Sequence, residues 1–85
     1  MSQADPVIIR RKHRELRRRI TAAQDHTGAD LAGAKLFDLD LHGKIFRDAS
    51  LRGADLTASN LKGADLTGAD LRTVFLTGAQ PPRPN

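Results

Sequence analysis

The sequence predicts an all-β solenoid, a chain wound into short stacked coils and preceded by one amphipathic helix. Three observations predict it. From Thr27 to Leu76 the chain divides into ten blocks of five, TGADL AGAKL FDLDL HGKIF RDASL RGADL TASNL KGADL TGADL RTVFL, of which nine end in Leu and one in Phe46. The third position of the block is Ala at 29, 34, 49, 54, 64 and 69, and the second is often Gly. Ahead of the repeat, residues 7–24 are rich in Arg, Lys, Glu, Leu and Ala, all good helix formers. Fixed-period self-similarity of this kind marks a repeat architecture.

A helix face recurs every 3.6 residues and a strand face every 2, so neither fits a strict period of five. Five residues suit one short extended side followed by a corner. Third and fifth positions differ by two and point the same way in extended chain. Here that pair is Ala and Leu, one small and one large, and both belong inside. The residue between them is polar in most blocks (Asp30, Asp40, Asp55, Asn60, Asp65, Asp70) and points to water. Gly at position two suits the corner. Four sides close a coil of about twenty residues, and coils stack at roughly 4.8 Å through backbone hydrogen bonds.

The blocks Ala29-Asp30-Leu31, Ala54-Asp55-Leu56, Ala64-Asp65-Leu66 and Ala69-Asp70-Leu71 resemble the A-(D/N)-L-x-x repeat of the pentapeptide-repeat family. The resemblance covers about fifty of the 85 residues. It implies a right-handed quadrilateral β-helix with the leucines inside, here of about two and a half coils. Known members include quinolone-resistance proteins that protect DNA gyrase, imitate duplex DNA with a negative surface, and dimerise. This chain departs from them. Its repeat carries no net charge, its N-terminal segment is basic, and its rod of about 12 Å is short beside a duplex. Modulation of a topoisomerase is therefore a secondary expectation.

Three regions are expected: residues 1–25, a basic capping helix with a disordered start; residues 26–80, the β-helix; and residues 81–85, a Pro-rich disordered tail. Asp5 is a suitable N-cap and Pro6 a suitable first helical residue. Ile9, His13, Leu16, Ile20 and Ala23 share one helical stripe, which predicts a seam against the first coil. Arg10, Arg11, Arg14, Arg17 and Arg18 are assigned to the opposite arc, flanked by Lys12 and Arg19. Residues 1–25 hold seven Lys/Arg against three acids, whereas residues 26–85 hold seven against seven. The whole net charge of +4 therefore sits on the helix. Solenoid ends expose apolar surface and unpaired edges, so a cap is the expected role of that helix. Its arginine face is a candidate contact for nucleic-acid phosphate or an acidic protein partner. An anionic membrane surface fits less well, because the seam lacks bulky apolar residues.

Departures from the repeat are informative. Leu39 and Lys44 occupy slots that are usually Ala. A buried unpaired ammonium is too costly, so Lys44 predicts either snorkelling at a corner or, preferably, a local irregularity, with Phe46 still inside. Ile45 and Phe75 take outward slots, and Phe37 is outward too. Residues twenty apart share a face, so Phe37 and Phe75 lie on one face as a candidate protein interface, and self-association as a homodimer is expected. Pro81, Pro82 and Pro84 stop further stacking.

No catalytic constellation is present, and no cofactor is expected. His13, His26 and His42 lack metal-ligand spacing, the glycines do not precede a helix as a phosphate loop, and there is no cysteine. No stretch approaches a membrane span and no secretory leader is visible, which predicts a cytoplasmic, bacterial-type protein. The expected function is a non-enzymatic binding or scaffold module of unidentified partner. Nucleic-acid binding through the helix is its first alternative.

Overall fold

A computed structural model describes residues 6–82, with the backbone alone at residues 6–9. The expected N-cap Asp5, the start of the chain, the last residues of the tail and the side chain of Ile9 lie outside the described residues. Helix α1 spans Pro6–Ala22, two residues short of the predicted end. It stops where the chain begins to pair. Asp25 forms a parallel bridge with Ile45, and His26 N–H donates to Ile45 O at 2.6 Å.

The Asp25–Ile45 bridge is the first of eight parallel bridges among the described residues, each joining residues twenty apart, so a block pairs with the fourth block after it. They make four sides, carried by Asp25–Ile45–Asp65, Asp30–Ser50–Asp70, Lys35–Asp55–Phe75 and Asp40–Asn60–Gln80. On each side the hydrogen bonds alternate direction. Leu31 N–H donates to Ser50 O at 2.7 Å, and Ser50 N–H donates to Ala29 O at 2.9 Å. The second residue of each block turns the corner with positive φ. Gly68 does so at 74°, with Asp48 packed where a Cβ would go, while Asp38, Asp48, Ala58 and Thr73 adopt φ of 55–61° without being glycine. The corner is thus a property of the repeat rather than of glycine alone.

The fifth-position column is the core. Leu31, Leu36, Leu41, Phe46, Leu51, Leu56 and Leu61 are buried, with Ala34, Ala49, Ala54 and Ala64 beside them. Burial fades toward the last coil, where Leu66 and Leu71 are half-buried and Leu76 is exposed. Ser59 stands in an Ala slot and is fully buried. Its hydroxyl donates to Leu36 O and accepts from Leu39 N–H, so no polar atom there is stranded.

The outward acids do more than meet water. Each of Asp25, Asp30, Asp40, Asp55, Asn60, Asp65 and Asp70 accepts the N–H of the residue two further on. These are Asx turns, which lock the corner that follows each side. Side-chain bonds from the same residues, and after them these backbone bonds, favour the ionised form and hold four carboxyls below the usual range: Asp25 through Thr27, Asp40 through His42, Asp55 through Thr57, and Asp70, lowered to about 2, through the Arg72 guanidinium. A depressed folded pKa adds stability above the unfolded value, near 4, that is lost as pH falls through the folded one. The melting temperature is therefore expected to hold between about pH 5 and 7 and to fall between about pH 4 and 2. A melting temperature unchanged down to pH 2 would show that the bonds to these carboxylates add nothing to stability.

Candidate functional site on the basic helix

The junction between α1 and the first coil fixes which way the helix faces. Ile20 is part of the buried core, and Leu16 packs against it. Ala23, assigned to the same seam, is exposed, because the chain has already left the helix there. Arg17 is not on the free face. It lies about 60° around the helix from Ile20 and turns inward. Its Nη1 donates to Lys35 O at 3.2 Å and Phe37 O at 2.7 Å, and its Cζ lies 4.4 Å from the centre of the Phe37 ring.

The reason is the bare edge of the first coil. One coil later the equivalent carbonyls, Asp55 O and Thr57 O, accept Leu36 N–H and Asp38 N–H. No earlier strand supplies those donors to Lys35 O and Phe37 O, and the guanidinium fork supplies them instead. Phe37 is consequently 41% exposed and half-covered by a cation, whereas Phe75 is 59% exposed. The two rings share a face, as predicted, but the structure brings Phe37 to Arg17 and not to Phe75.

Lys44 explains the other side of the junction. The expected irregularity is absent: Ile45 keeps both its bridges, and Phe46 is inside. The Lys44 side chain is 7% exposed, and its ammonium donates to Thr21 O at 2.9 Å and Ala23 O at 2.7 Å. Carbonyls at a helix C-terminus lack backbone donors and carry partial negative charge, so they satisfy a cation there. His26 acts beside it. Its Nε2 sits 3.0 Å from both Ile20 O and Ala23 O, which makes that nitrogen the protonated one. Its ring stacks on Phe46 at 5.1 Å. His26 lies five residues before Leu31 and twenty before Phe46, so it fills a core-column slot; the sequence hid this because the slot is otherwise Leu or Phe. Gln24 completes the contact, its Nε2 donating to Gly43 O at 2.6 Å.

With α1 held on that side, Arg10, Arg11, Arg14 and Arg18 are exposed, as are Lys12 and Arg19. None of the six forms an ion pair among the described residues. In the repeat, Arg72 pairs with Asp70 at 2.8 Å and Arg47 approaches Asp65 at 3.7 Å, while the exposed Lys35, Arg52 and Lys62 form no ion pair among the described residues. His13 is half-buried, and His42 bonds Asp40 at 2.7 Å. Among the described residues no group of three His, Cys, Asp or Glu side chains could hold a metal ion, and no helix is long and apolar enough to cross a membrane.

Parallel pairing at a spacing of twenty, left-handed corners every five and a column of buried leucines define a β-helix solenoid. Residues 46–78 match the family described as Pentapeptide repeats (8 copies) and carry that family's repeat. The solenoid is right-handed, as that kinship implies. The chain is similar to the crystal structure of a pentapeptide repeat protein (Rfr23) from the cyanobacterium Cyanothece 51142, with 38% identity and a TM-score of 0.65 over 66% of this chain. It spans only 38% of that protein's length. No curated protein matches.

Proposed function

We propose that this chain is a non-enzymatic binding module. About two and a half coils of quadrilateral β-helix, closed at the N-terminal end by α1, act as a rigid block that presents the basic face of the helix to a partner. One observation carries the reading. Arg17, Ile20, Lys44 and His26 fix one side of α1, while the cations on its other side remain without ion pairs among the described residues. Long cationic side chains held away from acids are costly to crowd together, and a partner relieves that repulsion. Imitation of duplex DNA toward a topoisomerase finds no support in a surface of this sign.

The module is read as cytoplasmic and bacterial, consistent with its cysteine-free composition. Homodimer formation belongs to the same reading, through the last coil, where Phe75 and Leu76 are exposed. Affinity capture with the full chain tests the assignment of the binding face. Partners recovered by the wild type are expected to be lost with Arg10→Gln/Arg14→Gln/Arg18→Gln. An unchanged set of partners would move the binding surface off α1.

A further inference from the structure

Resting on that reading of the α1 face, we infer that its partner is a nucleic acid, held through the phosphate backbone by the row Arg10, Arg14 and Arg18 with Arg11 beside it. Residues four apart on a helix stack about 6 Å above one another on nearly one line, so three guanidinium groups follow one edge of α1. Ile20 and Leu16, packed against the core, set the rotation of the helix and leave that row exposed. Arg17 itself is occupied by Lys35 O and Phe37 O and is not a phosphate ligand.

The composition of the exposed arc selects the class of partner. Among the described side chains it consists of Arg10, Arg11, Lys12, Arg14, Glu15, Arg18 and Arg19, with Ala22 the only apolar residue beside them. The fully buried core of a protein–protein contact is depleted in charge and anchored by aromatic or large aliphatic residues, and the described side chains of this arc include none larger than Ala22. A helix lying in a membrane surface buries an apolar face, and the apolar face of α1 is already spent on Ile20 and Leu16 against the coil. Protein–nucleic acid contacts, in contrast, are polar and strongly positive, and the guanidinium fork matches phosphate oxygens. No aromatic ring stands in the arc to stack on a base, so the contact is to the backbone and indifferent to sequence.

The test is fluorescence anisotropy of the full chain with a labelled random-sequence DNA duplex, titrated across salt. Four phosphate contacts predict a slope of log K against log salt near −3.6, which is about a hundredfold weakening between 50 and 200 mM salt. Arg10→Gln/Arg14→Gln/Arg18→Gln is expected to reduce the slope to about −1 with the circular dichroism of the wild type retained. Arg17→Gln is expected to keep the slope and lower the melting temperature. No binding at 50 mM salt, or a triple variant that binds with the wild-type slope, overturns the inference. So does tighter binding of poly-glutamate than of the duplex, which would leave α1 as the binding face and assign it to an acidic protein.

Discussion

Leu56→Asp is expected to unfold the repeat, while Leu76→Asp leaves it folded. The two leucines occupy the same slot of the five-residue block, one coil apart, yet Leu56 is 1% exposed and Leu76 is 44% exposed. At Leu56 the carboxylate would enter the buried apolar cluster that includes Leu36, Leu51, Leu61 and Ala54, while the buried ammonium of Lys44 is already held by Thr21 O and Ala23 O. Truncating a buried Leu to Ala alone costs about 2–5 kcal/mol, and an unpaired buried charge adds several more. A domain of this size has roughly 4–13 kcal/mol in total. At Leu76 the new carboxylate reaches water. Far-UV circular dichroism and thermal melts of the two variants separate these outcomes. Wild-type melting of Leu56→Asp would refute the register on which every in/out assignment depends.

The period of five was enough to read the coil length, the buried column and the outward acids, because each is a local consequence of where a side chain falls in its block. What the sequence withheld were substitutions whose meaning lies in another part of the chain. Lys44 looks like a defect within its own block; only the arrival of the α1 C-terminus supplies its acceptors. His26 falls in a core slot but resembles a linker residue, since its role needs both Phe46 below it and the helix carbonyls beside it. Arg17 is assigned from the sequence to the arc opposite the seam, with Arg10, Arg11, Arg14 and Arg18. Its place on the helix is intermediate, and the bare carbonyls of Lys35 and Phe37 decide its direction. The exposed arginines were legible for the same reason the core was: a helix fixed at Ile20 and Leu16 must turn Arg10, Arg11, Arg14 and Arg18 away. All three hidden roles belong to one junction, where a structure of period 3.6 meets one of period five and neither pattern predicts the other.

That junction makes Lys44→Met the second large expected effect. Methionine keeps an unbranched apolar stem in the slot and removes only the ammonium, so cavity formation contributes little. The carbonyls of Thr21 and Ala23 then lose their shared donor. Removing a buried charge recovers its desolvation cost, and replacing both partners of such a contact can even stabilise. Here the acceptors stay behind, and a hydrogen bond to a charged group is worth about 1.5–3 kcal/mol. Thr21 and Ala23 are exposed residues, so water restores part of the loss. The balance is a destabilisation of about 2–3 kcal/mol, equivalent to a fall in melting temperature of roughly 10–20 °C for a chain of this length. The loss is also local in origin: His26 still holds Ile20 O and Ala23 O and Gln24 still holds Gly43 O, but Thr21 O in the last turn of α1 loses its Lys44 donor. Amide exchange in α1 is therefore expected to rise before exchange at the bridges from Leu51 to Leu61. Lys44→Met melting with the wild type, its α1 amides equally protected, would show that the ammonium is only tolerated in its slot and that Ile20 and Arg17 hold the helix without it.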